Sequence, residues 1–387
     1  MNDEEPSMSV EVGLAWNPVG QVQEGRDLLG VARSAGFDGF MVFDLLINVF
    51  PAQAWDADFT YVANVLPTPD QCLEFATLLG NLAPDAGPVQ LAIGVTDPHR
   101  RHPAVLAQFA LTLAQLTERA PVLGIGAGML ENLTPYGVAH DHQVDRVEEA
   151  LRVIRLLLDG PGPHDFAGRH FTLDKAMMGL RAPEGRTPRL WVGAGQPRML
   201  EITGRYADGW MPSKMMTPAA YARRLAKVRA AAVEAGRDPN AVVAAGWVPI
   251  VVADTDEAAH ELLRVKAIRF TALHATAATW RRFGVPHPFG ETYKGDRELL
   301  PHRLTRAEVE HALAEVTDEL VATQAIIGSR QTVLDQIGDL IDAGMGYPML
   351  FPLSAMASPE AAQYTAETLP WLRARLHTRT ATESVPK

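Results

Sequence analysis

Apolar positions recur along the chain with two periods, and the periods alternate. A short apolar run over 10–16 gives way to a helical spacing at Leu28, Val31, Ala32 and Ala35, which Gly36 stops. The exchange then repeats. Further strands are predicted over 39–43, 89–94, 122–126, 190–193, 210–211, 242–252 and 347–351. Helical faces lie between them. One starts after Pro103, a residue suited to a first helical position. Another is marked by Val144, Val147, Leu151, Ile154 and Leu158, and others run near 197–205, 218–235 and 256–270. Ser329 caps a helix carrying Val333, Leu334, Ile337, Leu340 and Ile341, which Gly344 ends. Ser358-Pro359 opens the last helix. Eight strands alternating with helices predict an α/β fold with a parallel sheet, closed as a (β/α)8 TIM barrel with insertions.

Three stretches depart from that rhythm. The span 44–69 is a loop of about twenty-five residues, where strand-to-helix loops usually have about 2–6. It carries Phe50, Trp55, Phe59 and Tyr61, so it either folds over something or packs as a surface loop. Residues 271–323 read as an insertion. The helix at 104–116 is apolar nearly all round, apart from Gln108, Thr112 and Gln115, so either the insertion or a second subunit should cover it. The expected organisation is a single barrel over 9–376, with frayed tails at 1–8 and 377–387.

Composition narrows the function classes. The chain has 387 residues, of which 47% are hydrophobic, as in an ordinary globular protein. Its 35 Lys and Arg against 46 Asp and Glu give a net charge of −11, which offers no general attraction to nucleic acid or anionic lipid. Cys72 is the only cysteine, so there is no intrachain disulfide and no thiolate metal cluster. No apolar run is long enough to span a bilayer, and the first residues lack the features of a signal peptide. A cytoplasmic protein without nucleic-acid or membrane partners is expected.

In a barrel, function resides at the C-terminal ends of the strands. Those ends carry Trp16 and Asn17, Asp44, Gly94-Val95-Thr96-Asp97, Gly126-Ala127-Gly128 with Glu131, Gly193-Ala194-Gly195 and Lys214. The runs GIGAG (124–128) and GAGQPR (193–198) bring bare backbone to the mouth. Either a flat ring or phosphate approaches there, or the glycines serve tight packing. GAGQPR leads from a strand into a helix whose first amides are unpaired donors. Arg198, with Gln196 and Pro197 beside it, adds a fixed charge. With Lys214 it suggests a local site for a phosphate or carboxylate, the alternative being solvated charges. No metal site is expected, because His99 and His102 in HRRHP, and His140 and His142 in HDH, lack the spacing zinc sites favour. The HDH histidines read as surface or capping residues. The remaining picture is a barrel holding a flat, anionic cofactor and a small-molecule substrate.

At these residues the chain resembles the luciferase-like flavin and deazaflavin oxidoreductases. The matching stretches are AGFDGFMVFD (35–44), GVTDPHRRHPAVLAQFALTLAQLT (94–117), LGIGAG (123–128), YGV (136–138), RVEEALRVIRLL (146–157), WVGAGQPRMLEITGRYADGW (191–210) and IIGSRQTVLDQI (326–337). GVTDPHRRHPAV, GQPRML with GRYADGW, and FGVPHPFG (283–290) are most similar to the phthiodiolone ketoreductase-like branch, which is thought to use the deazaflavin coenzyme F420. The resemblance implies a homodimeric barrel with the ring at the strand ends. Asp44 matches the acid after the second strand, and Gly94-Val95 a bulge behind the ring made by a cis peptide. Gly126, Ala127 and Gly128 match the glycine-rich end of the fourth strand. Gly193 to Arg198 and Lys214 match phosphate-binding positions. Relatives commonly have Asp-His where this chain has Asp44-Leu45, and Glu where it has Met129. The missing histidine leaves Glu131 or Asp44 to handle the substrate proton, with water as the alternative donor. The implied activity is an F420-dependent oxidoreductase served by a separate cofactor-reducing enzyme. An FMN-dependent monooxygenase is the alternative, and a cofactor-binding protein without turnover the second.

Overall fold

The computed structural model describes residues 10–379. Eight parallel strands close the barrel: β1 (Gly13–Trp16), β2 (Gly39–Val42), β3 (Gln90–Thr96), β4 (Val122–Ile125), β7 (Arg189–Gly193), β8 (Gly209–Met211), β9 (Val243–Ala253) and β11 (Tyr347–Pro352). Consecutive members pair, and β11 returns to β1 with Gly13 opposite Met349. Alternation along each strand separates two cores, as the pleat requires. Leu14, Phe40, Val42, Leu91, Ile93, Leu123, Leu190 and Val192 face the outer helices. Ala15, Met41, Ala92, Val122, Trp191, Met211 and Ala245 fill the interior.

Three elements escape the periodicity reading. The helix Phe75–Ala86 lies between the long loop and β3, and carries Pro84 inside it. β5 (His164–Ala167) and β6 (Thr172–Ala176) form an antiparallel hairpin outside the barrel. β10 (Ile326–Ser329) pairs with the far end of β9, Ile326 opposite Ile250. The predicted helix at 256–270 is broken into Asp256–Glu261, a 3-10 turn at Leu262–Arg264, and Lys266–Phe270, because Val265 is extended.

The insertion and the long loop make one second core. Phe50, Trp55, Phe59 and Leu66 of the loop are buried with Trp280, Val309, Leu313 and Leu320 of the insertion, and with Leu263 and Phe270 of the segment just before it. The loop therefore does fold over something, and what it covers is the insertion. That core contains no residue of helix Pro103–Leu116, which packs instead between helices Phe75–Ala86 and Gln143–Asp159. Val105 and Leu116 remain exposed. Of the expected tails, 1–8 and 380–387 lie outside the described residues. Residues 377–379 are tied down: His377 Nδ1 is 3.1 Å from the Val10 carbonyl, and the Arg379 amide bonds to Leu376.

Candidate active site

Val95 occupies the centre of the barrel mouth. The register slips between Ile93 and Thr96, and the Gly94–Val95 peptide is cis, as the resemblance implies. The Val95 side chain is met by glycines on two neighbouring strands. A Cβ on Gly124 would stand 2.9 Å from Val95 Cγ1, and one on Gly126 2.5 Å from Cγ2. One on Gly193 would stand 3.5 Å from both methyls. Gly94 itself faces the Met41 thioether, which leaves no room for a side chain. Of the two readings of these glycines, packing accounts for both: the Ile93 carbonyl stands 2.2 Å from a Cβ on Gly124, and Val95 closes Gly126. Gly195 differs, since a Cβ there would meet nothing within 4 Å. Phe43, Trp247 and Phe351 form a half-buried aromatic group over the interior core, with centroids 4.8–6.5 Å apart.

Asp44 is buried just after β2 and accepts four bonds on its carboxylate, the longest from Arg100 Nη1 at 3.3 Å. Thr96 Oγ1 donates at 2.6 Å, Arg100 Nη2 at 2.7 Å and Arg101 Nη1 at 2.6 Å. Arg100 Nε also bonds Asp97 at 2.7 Å. Burial pushes the Asp44 carboxyl above its usual range, while Arg100, Arg101 and Thr96 pull it down. Two guanidiniums in direct contact favour the ionised form.

Glu131 has a different environment. It sits in the 3-10 turn Leu130–Asn132 after β4, is 3% exposed, and its Oε2 is buried without a hydrogen-bond partner. Burial pushes its carboxyl up to about 8, with Asp296 adding to the rise and Arg100 opposing it. The turn is fixed by its neighbour. Asn132 Oδ1 accepts from the amides of Leu46 at 2.5 Å and Ile47 at 3.1 Å, bolting the β2 loop to the β4 loop.

The two expected anion-binding cations do not share an acceptor. Arg198 Nη2 bonds Asp145 at 2.5 Å and Glu148 at 3.3 Å. Lys214 Nζ bonds Asp296 at 2.9 Å and the His274 carbonyl at 2.8 Å. An acidic chain supplies each cation with its own carboxylate, so the expected joint pocket is divided in two. Ala194, Gln196 and Pro197 lie where expected, from the end of β7 into helix Pro197–Tyr206, whose Gln196 cap leaves the first amides without a side-chain partner. Ala127 and Gly128 continue β4, and the φ of Gly128 is 83°. His99 and His140 flank that glycine with rings 6.1 Å apart, closer to the mouth than a surface reading places them. His142 does take the N-cap position, but its side chain makes no capping bond.

Several residues of the mouth escaped the sequence reading. Arg100, Arg101 and Asn132 were hidden because their partners are distant in sequence. His274, Tyr293 and Asp296 come from the insertion. Asp296 accepts from His274 Nδ1 at 2.9 Å as well as from Lys214. Burial opposes its charge, but His274 and Lys214 outweigh it and hold the carboxyl at about 2. Tyr293 is buried, its hydroxyl unpartnered, and burial with the nearby acids, Glu131 among them, pushes its ionisation far up.

Comparison with known proteins places this geometry. The luciferase-like monooxygenase family model matches residues 9–346. The phthiodiolone/phenolphthiodiolone dimycocerosates ketoreductase of Mycobacterium tuberculosis is 35% identical over 351 residues, covering 89% of this chain and 91% of that protein. Among solved structures, an F420-dependent secondary alcohol dehydrogenase, in complex with an F420–acetone adduct, superposes with a TM-score of 0.73. It is 20% identical, with 95% of this chain and 99% of the other covered. The oxygenating constituent of the 3,6-diketocamphane monooxygenase of Pseudomonas putida, in complex with FMN, has a TM-score of 0.63 and 19% identity, covering 98% and 99%. By its family match, its ketoreductase relatives and its barrel, the chain belongs to the luciferase-like monooxygenase family of oxidoreductases.

Proposed function

We propose that the protein is a coenzyme F420-dependent reductase. It moves a hydride between the deazaflavin and a C=O, C=N or C=C bond of a small organic substrate, and a ketone suits the site best. The observation that carries this reading is Glu131, a buried carboxyl held protonated near neutral pH with one oxygen free. Reducing a carbonyl produces an alkoxide, and a neutral acid at the mouth can supply its proton. Asp44 suits that role poorly, because Thr96, Arg100 and Arg101 favour its ionised form. Its part is to hold Arg100 and the β3 loop in place.

The residues present fit a flat anionic cofactor. Val95, nested in Gly124, Gly126 and Gly193, would back the ring, with Gly94 and Thr96 fixing that strand and Ala127 and Gly128 beside it. The open backbone at Gly195 and the amides of Gln196 and Arg198, on either side of Pro197, would hold the anionic tail, with Ala194 buried before them. Lys214, just after the neighbouring strand β8, would act from beside them. Bound reduced deazaflavin supplies the hydride from ring carbon 5. Phe43, Trp247 and Phe351 give the mouth an apolar wall that limits water. The ketoreductase and alcohol dehydrogenase likenesses support this over the FMN monooxygenase alternative.

A homodimer, a cytoplasmic setting and a separate enzyme that reduces the cofactor complete the proposal. Among the described residues no helix is long and apolar enough to cross a membrane. Parallel titrations with F420 and FMN test the cofactor. Micromolar binding of F420 and weaker binding of FMN are expected, and the reverse order would favour the monooxygenase reading.

A further inference from the structure

A second group of titratable side chains gathers at the outer hairpin, away from Glu131. His142 stands at the head of helix Gln143–Asp159 with a left-handed φ of 47°. Asp145 follows on the first turn, and His170 comes from the turn between β5 and β6. Their ligand atoms all lie within 4.8 Å of one another. The two imidazole rings are 5.3 Å apart, and His142 Nδ1 is 3.9 Å from Asp145 Oδ2.

Two further observations separate this cluster from a chance meeting of surface groups. First, His170 Nε2 is buried and has no hydrogen-bond partner, although buried ring nitrogens normally do. Second, the turn that carries it is anchored to the helix. The Glu149 carboxylate accepts from the amides of Arg169 at 2.8 Å, His170 at 2.8 Å and Phe171 at 3.1 Å. Three convergent amides on one carboxylate fix the backbone of His170 relative to Asp145, which lies one turn earlier on the same helix. The Asp145 Oδ1 bond to Arg198 orients the carboxylate and leaves Oδ2 for another partner, the arrangement of an outer-shell contact at a metal centre.

We propose that His142, Asp145 and His170 form a binding site for a divalent transition-metal cation, with zinc the best fit. Two imidazoles and one carboxylate suit zinc, cobalt or nickel, whereas calcium and magnesium favour oxygen ligands throughout. Tetrahedral zinc with bonds of about 2.0–2.2 Å needs ligand atoms roughly 3.3–3.5 Å apart, so the group, whose atoms lie within 4.8 Å, must close by up to about 1.4 Å. The exposed His142 side chain makes that movement cheap. Three protein ligands leave the fourth position to water. The Arg198 bond and Arg169, whose Nη2 is 3.4 Å from His142 Nε2, place positive charge nearby, so micromolar affinity is expected. A bound cation would fasten the hairpin to the helix and add charge beside Arg198.

Calorimetric titration of the chelator-treated, full-length protein with zinc chloride at neutral pH tests this. One equivalent should bind at micromolar concentration. His142→Ala and His170→Ala should each weaken that equivalent about tenfold or more. His164→Ala, elsewhere on the hairpin, should leave it unchanged. Cobalt should give a visible absorption spectrum in the wild type that His142→Ala abolishes. Because His142 is exposed, its loss leaves the fold intact, as circular dichroism will verify. Absence of saturable zinc binding at micromolar concentration, or binding undiminished in His142→Ala, would overturn the proposal.

Discussion

Burial pushes two carboxyl groups of the barrel mouth upward, Asp44 and Glu131, and what separates them is their neighbours. Asp44 has two guanidiniums in contact; Glu131 has none, and its Oε2 has no donor at all. Glu131→Gln should therefore lower turnover about 10²–10⁴-fold while leaving cofactor affinity near wild type, read by parallel kinetics and titration. Wild-type reduction should fall as pH rises through about 8, where Glu131 loses its proton. The same group carries a stability signature. Its folded value exceeds its unfolded one, so the native state keeps a proton that the unfolded chain sheds. That contribution is fully present below about pH 4.5 and is lost as pH rises toward about 8. Glu131→Gln should gain roughly 2–5 kcal/mol on wild type between pH 5 and pH 8.5 in denaturant titrations. Asp44→Asn, by contrast, removes the charge that Arg100 and Arg101 share, leaving them Asp97 and Glu74, and should cost about 1–3 kcal/mol of stability at pH 7. Both acids were legible in the sequence as strand-end residues. Their division of labour was not, because Arg100, Arg101 and Asp296 act from distant positions.

At the scale of elements, the strand-end glycines were visible as a motif with two readings, a cradle for a ligand or tight packing. At Gly124 and Gly126 the strands pack tightly, against the Ile93 carbonyl and Val95. Gly126→Ala should destabilise the protein by about 1–3 kcal/mol through overpacking. Adding Val95→Ala should restore most of that loss in a double-mutant cycle. Additive losses would mean that Gly126 serves the ligand directly. Barrel strands announce themselves as buried apolar runs; β10 and the β5–β6 hairpin do not. β10 has only two apolar residues before Gly328 and Ser329, and β6 is mostly exposed, with Asp174 and Lys175 side by side. The break at Val265 carries neither glycine nor proline, so nothing in the local sequence marks it.

The whole molecule is a barrel with a second core built onto its mouth. The long loop and the insertion were each legible as departures from the rhythm, but their union was not, since Phe59 and Phe270 are 211 residues apart and meet only in three dimensions, with ring centroids 6.0 Å apart. Phe59→Ala should cost about 3–5 kcal/mol, and limited proteolysis should then cut first within the insertion. This second core also delivers Asp296 and His274 to Lys214, so the insertion completes the mouth as well as covering the loop. Under the proposed function the mouth reduces a carbonyl using F420, with Glu131 giving the proton. Mixing the protein anaerobically with reduced F420 and a panel of small ketones tests it most directly, with the appearance of oxidised deazaflavin followed over a pH series. Ketone-dependent oxidation of the cofactor that declines above about pH 8 and is lost in Glu131→Gln is expected. No oxidation by any ketone, together with rapid oxygen consumption when reduced FMN is supplied instead, would contradict it.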